Sequence, residues 1–155
     1  MRLGRFACKA ALFGLLNLLA ACSYFSPSVE LRSLTLDMAP KANNDTPLAI
    51  DLVAVEDPEL LKLLLSIPAK QWFEQREQLR RDYLKAIDVW SLELVPGQFM
   101  ESRDIPMAGN PAVGLLVYAG YNNPGTHRLR LDQQKTVWLR FENKNMRLLG
   151  DASHD

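Results

Sequence analysis

Cysteine is nearly absent from this chain of 155 residues, with Cys8 and Cys22 the whole supply. Beyond position 22 no internal disulfide can form, so whatever folds there must be held by core packing alone. Histidine is as scarce, with only His127 and His154, and two distant imidazoles with no thiol beside them do not make a zinc site. Net charge is absent too: 18 Lys+Arg face 18 Asp+Glu, which excludes the polyelectrolyte balance of a nucleic-acid binder. No apolar run approaches the roughly 20 residues of a membrane-spanning helix. There is no Gly-x-Ser-x-Gly turn to present a serine nucleophile and no Gly-x-x-x-x-Gly-Lys loop to cradle a phosphate. What remains is 48% apolar and 23% charged, a globular composition.

Charge is unevenly placed. Arg2, Arg5 and Lys9 fall within the first 21 residues, where there is no acid, and the rest of the chain keeps 15 basic against 18 acidic groups, a net of −3. The basic start leads into an apolar run, Ala10 to Ala21, broken only by Asn17. That length suits the h-region of an export signal, about 7–15 residues closed by small side chains, which Ala20 and Ala21 supply. Leu19-Ala20-Ala21-Cys22 has the form of a bacterial lipoprotein signal, so residues 1–21 are expected to be cleaved. Cys22 is then expected to carry a thioether-linked diacylglycerol and an acylated amino group, with no other cofactor. Two or more acyl chains hold a protein to a bilayer firmly, each buried methylene adding roughly 0.8 kcal/mol. Ser23, in place of an aspartate, resembles lipoproteins forwarded to the outer membrane. Residues 22–28 read as a short lipidated tether, residues 29–150 as one domain, and 151–155 as a tail.

Strand signals dominate that domain. Leu34, Leu36 and Met38 alternate with Thr35 and Asp37, a period of two that ends before Pro40. Residues 48–55 are mostly apolar on both faces, as in a central strand. Residues 86–95 stop at Pro96-Gly97, a type II turn signal, with 98–105 as the expected hairpin partner. Residues 112–121, 126–131, 136–141 and 146–149 complete about eight strands, a mainly β, two-layer antiparallel sandwich. A short helical insertion is predicted between strands 2 and 3: Asp57-Pro58-Glu59 caps one helix, and a second over 69–81 places Trp72, Phe73, Arg76 and Leu79 on one face, with Glu77 and Arg81 spaced to pair.

Catalytic candidates are thin. Asp51, Glu56, Asp57 and Glu59 are near neighbours in sequence, but Asp57 already has a capping role; with His127 as a lone base they sketch at most an exported hydrolase. Our reading is a non-enzyme with no metal. Arg128, Arg130, Arg140, Lys144 and Arg147 would form a basic patch if their strands pair, which is the basis of an alternative reading, a periplasmic lipoprotein module that binds an anionic ligand or another envelope protein.

The lipoprotein signal, short tether, eight-strand plan and helical excursion together resemble the SciN/TssJ family, the outer-membrane lipoproteins of the type VI secretion membrane complex. The likeness is carried by Asn43-Asn44-Asp45-Thr46-Pro47 before an apolar strand, Trp72-Phe73, Leu94-Val95-Pro96-Gly97 and Gly114-Leu115-Leu116-Val117-Tyr118-Ala119. It implies a transthyretin-like sandwich anchored in the outer membrane and facing the periplasm. It also implies a partner, the periplasmic domain of an inner-membrane TssM/IcmF-type subunit, held in part by the loop between the first two strands: Lys41, Ala42, Asn43, Asn44, Asp45 and Thr46. Read from its residues alone, this loop is equally an ordinary polar turn in which Asn and Asp bond their own backbone.

Overall fold

The computed structural model describes residues 26–149, so the signal segment, Cys22, most of the tether and the tail lie outside the described residues. Eight strands and three short helices follow in order: β1 (Ser33–Met38), α1 (Ala42–Asp45), β2 (Leu48–Val55), α2 (Pro58–Leu64), α3 (Ala69–Asp82), β3 (Ile87–Leu94), β4 (Phe99–Ser102), β5 (Gly114–Ala119), β6 (Arg128–Arg130), β7 (Thr136–Phe141) and β8 (Met146–Leu149). They form two four-stranded sheets, β4-β1-β7-β8 and β3-β2-β5-β6, stacked as a sandwich. Pairing is antiparallel except between β1 and β7, which run parallel with Ser33 opposite Thr136 and Met38 opposite Phe141.

Periodicity explains which side chains meet. From β1 the buried set is Leu34, Leu36 and Met38, and from β7 Val137, Leu139 and Phe141. These face Leu48, Ile50, Leu52 and Leu94 of the second sheet in one core. Apart from Asp51, β2 is apolar on its other face as well, and that face needs its own cover. Val53 and Val55, with Leu116 and Tyr118 of β5, are packed under Leu60, Leu61, Leu64, Trp72 and Leu79 of the helical insertion. The insertion begins as its residues dictate: Asp57 accepts a hydrogen bond from the Leu60 amide at 2.8 Å, and Pro58 opens the first turn.

Two expectations about pairing fail. β4 does not form a hairpin with β3; it crosses to the other sheet and pairs with β1, Asp37 opposite Phe99. The Pro96-Gly97 turn is present, with Gly97 at φ 83° and the Gln98 amide donating to Val95 O at 3.0 Å. A tight turn fixes only the local reversal, and here it carries the chain between layers. Glu77 does not pair with Arg81 either; it lies 3.6 Å from Arg80 and 3.8 Å from Arg76, while Arg81 donates to Gln78.

β1 runs from the end where the chain enters toward the opposite end. At the entering end the Ala112 amide donates to Pro27 O at 3.0 Å and Ser28 bridges Pro111, so the body starts to be held one or two residues before Val29. At the far end lie the β1–β2, β3–β4, β5–β6 and β7–β8 connections. Six residues of strand separate the two ends by about 20 Å.

Candidate docking site at the loop end

Three connections at the far end are joined by asparagines. The β1–β2 loop contains α1, whose backbone is left-handed at Asn43 (φ 52°), Asn44 (φ 58°) and Asp45 (φ 62°), with Lys41 also positive at 61°. Asn and Asp enter this region more easily than other side chains because their short polar groups bond locally. That is why Asn43-Asn44-Asp45 can hold a turn that most sequences could not.

Asn43 is the centre of the arrangement and is buried, 1% exposed. Its Nδ2 donates to Thr46 Oγ1 and Pro47 O, both at 3.0 Å, and its Oδ1 accepts from the Asn122 amide at 2.8 Å. Asn122 Nδ2 in turn donates to Thr46 Oγ1 at 2.9 Å, and the Thr46 hydroxyl donates to Asn43 O at 2.7 Å. The β7–β8 turn closes the third side: the Asn43 amide donates to Asn143 O at 3.2 Å, the Asn44 amide to Asn143 Oδ1 at 3.1 Å, and Asn123 Nδ2 to Lys144 O at 3.1 Å. Tyr121 stands beneath, its hydroxyl donating to Asn145 O. Burial pushes that hydroxyl above the usual tyrosine range; a backbone hydrogen bond at Glu142 opposes the shift and the Glu142 charge adds to it. A buried amide with donors and acceptor all satisfied fixes one geometry, because any slip leaves polar groups unpaired in a dry setting.

The six loop residues therefore divide. Ala42 and Asn43 are buried and brace the loop from inside, Thr46 is half-buried, and Lys41, Asn44 and Asp45 face solvent. The bracing partners Asn122 and Asn143 are distant in sequence, and only the loop signals Asn122-Asn123-Pro124-Gly125 and Asn143-Lys144-Asn145 pointed toward them.

The other candidates are placed elsewhere. The basic patch does not form, because β6 belongs to one sheet and β7 and β8 to the other. Arg128 donates to Ile67 O at 2.6 Å, Arg130 pairs with Asp132, Arg140 with Asp37, and Arg147 with Glu142 at 3.0 Å. Each guanidinium has its own acceptor, and although Arg140 stands opposite Arg147 with Lys144 in the turn between them, Arg128 and Arg130 lie on the other sheet, so the five do not share one surface. Asp51 is fully buried under α3, accepting from Trp72 Nε1 at 2.8 Å and from Arg76 Nη1 at 3.0 Å. Trp72 also stacks on Tyr118, ring centroids 4.9 Å apart at 8°, so this carboxylate pins a helix to a sheet. His127 sits half-buried at the loop end, tilted on Tyr121 at 4.6 Å with Nε2 2.9 Å from Asn123 O. Among the described residues no three His, Cys, Asp or Glu side chains gather as metal ligands.

Neither a protein-family model nor a curated protein matches the chain. Solved structures do. Lip of Serratia marcescens, a membrane-bound component of the type VI secretion system, superimposes with a TM-score of 0.56 at 16% identity, over 80% of this chain and 97% of that one. The type VI lipoprotein TssJ1 of Pseudomonas aeruginosa gives 0.58 at 15%, over 76% and 92%. A chain of a type VI membrane complex gives 0.59 at 14%, over 81% and all of that chain. The fold is TssJ-like. No helix among the described residues is long and apolar enough to cross a membrane.

Proposed function

We propose that this chain is a non-catalytic lipoprotein of a type VI secretion membrane complex. Diacylglycerol and an N-acyl group on Cys22 fasten it to the outer membrane, and its loop end, facing the periplasm, docks the periplasmic domain of a TssM/IcmF-type inner-membrane subunit. The observation that carries the reading is the TssJ-like fold. The placement of a braced, polar loop at the end away from residue 26 supports it, since an anchor on one end leaves the other free to meet a partner reaching from the opposite membrane. Binding between two membrane-fixed proteins occurs at high effective concentration, so a small rigid surface is enough. A pre-formed loop also loses little conformational entropy on docking.

The solvent-facing residues can be tested without disturbing the brace. Lys41→Asn, Asn44→Gly and Asp45→Asn introduce only residue types that accept left-handed backbone, so the turn survives while its two charges and the Asn44 side chain are removed. Titration calorimetry against the periplasmic domain of the partner subunit should show binding weakened by about tenfold or more, the loss expected when a polar hot spot worth roughly 1.4 kcal/mol is removed. Full-strength binding with an unchanged melting curve would remove the loop from the interface. Labelled-palmitate incorporation, present in the wild type and absent in Cys22→Ala, tests the anchor separately.

A further inference from the structure

The end of the domain where the chain enters carries an unusual side chain. Leu84 is 78% exposed, the most exposed of the large hydrophobic side chains among the described residues, and Tyr83 beside it is 37% exposed. Both sit where α3 gives way to β3. Here the Tyr83 amide closes the helix on Leu79 O, and the Ala86 amide donates back to Tyr83 O at 2.9 Å, leaving Leu84 and Lys85 as the two central residues of a tight turn. The turn is tied to the sheet by the Glu56 amide, which donates to Ala86 O at 2.9 Å. Leu84 is thus held outward by a fixed frame.

The surroundings of this tip are amphipathic. Lys85, Arg80 and Arg81 are exposed around it. Of the acids nearby, Glu77 takes one ion pair with Arg80, Asp82 accepts from Gln78 Nε2 at 2.7 Å, Asp88 accepts from Asn110 Nδ2 at 2.8 Å, and Glu56 and Asp88 line the same cleft as Leu84 and Lys85. That cleft also contains Asn110 and Pro111, and Pro111 is the residue bridged by Ser28. The leucine tip and the incoming chain therefore share one end of the molecule. Three residues separate Cys22 from Ser26, and four Cα–Cα steps reach at most about 14 Å, so an anchor at Cys22 would keep this end close to the leaflet.

We propose that the Tyr83-Leu84-Lys85 tip, with Arg80 and Arg81, is a lipid-contact surface that seats the folded domain on the leaflet holding its anchor. The proposal rests on the lipid attachment at Cys22. Leu84 and the Tyr83 ring enter the interfacial layer, while the basic side chains lie at the level of the phosphates. This second contact fixes the tilt of the sandwich and turns the loop end away from the membrane, which attachment at a single residue would not do.

The test uses the full lipidated protein in phosphatidylethanolamine/phosphatidylglycerol vesicles. With Cys22 acylated and Cys8 removed in the signal, an introduced cysteine is the single free thiol. An environment-sensitive fluorophore is placed by Leu84→Cys or, at the loop end, by Lys144→Cys, an exposed position in the β7–β8 turn. Phospholipid carrying a nitroxide near the headgroup should quench the label at position 84 about twofold or more above the label at position 144, as interfacial burial requires. A label at Lys85→Cys should lose that excess when Leu84→Asp is added. Co-flotation with equal quenching at positions 84 and 144 overturns the tip contact while leaving the anchor intact. Recovery of the protein away from the vesicles overturns the anchor and the tip contact together.

Discussion

On the outer face of the β3-β2-β5-β6 sheet, Val53, Val55, Leu116 and Tyr118 lie buried beneath α2 and α3. On the outer face of the β4-β1-β7-β8 sheet, Thr35, Asp37, Trp138 and Arg140 meet solvent, and Phe99, 57% exposed, packs edge-on against Trp138 at 6.4 Å. The difference is set by strand pattern. A strand apolar on both sides requires two covers, and a strand that alternates requires one. Each face also holds a carboxylate–arginine pair, under opposite conditions. Asp51 is out of water and needs both Trp72 and Arg76, whereas Asp37 and Arg140 keep partial access to solvent and can hydrate if parted.

This contrast can be broken most severely at Trp72. Trp72→Ala removes the stacked ring, opens a cavity and strips Asp51 of a donor, and thermal or urea unfolding should show a loss of about 3–5 kcal/mol. A result below about 1 kcal/mol would mean that the insertion is not integral to the fold. The next test is alkaline. Burial raises the pKa of the Tyr118 hydroxyl, partly opposed by Arg128, and that hydroxyl donates to Leu64 O at 2.8 Å. A folded-state pKa above the unfolded value near 10 stabilises fully below that pH, and the contribution is lost as pH rises past it. Circular dichroism should therefore show stability falling above about pH 10, and Tyr118→Phe should flatten part of that fall while costing about 1 kcal/mol at neutral pH.

Asn43→Ala probes the loop end. Leaving the Asn122 amide without its acceptor should cost about 1–3 kcal/mol, and hydrogen exchange should quicken in residues 120–127 and 142–145 together. Faster exchange confined to residues 41–47 would show that the three loops are not one unit. The smallest effect is expected on the open face, where Asp37→Asn should change stability by less than about 1 kcal/mol and lose even that at high salt. A larger loss would give the open face an energetic role like that of the covered one.

The elements themselves were largely readable. β2, β7 and β8 begin and end where the hydrophobic pattern places them, and Asp57-Pro58 starts its helix as capping chemistry requires. The partners were not readable. Pro96-Gly97 signals a reversal whether the following strand returns to β3 or crosses to β1. The basic residues looked collinear because their strands are consecutive, yet the chain places those strands in different sheets. At the loop end, the run Asn43-Asn44-Asp45-Thr46 was visible as polar, but Asn43 turned inward, since its bonds to Asn122 and Asn143 join positions roughly 80 and 100 residues away, a span over which local pattern carries no information.

Sequence alone determined where strands and helices form, which faces are apolar, that no disulfide supports the domain, and that its leading segment has the form of an export and lipidation signal. These depend on neighbouring residues, through side-chain period, capping and turn chemistry. Tertiary structure decided the parallel β1–β7 pairing, the crossing of β4, the burial of Asp51 and Asn43, and the projection of Leu84 beside the incoming chain. Those depend on which distant surfaces can close a dry core together, and that is settled by shape and face matching once the whole chain has collapsed.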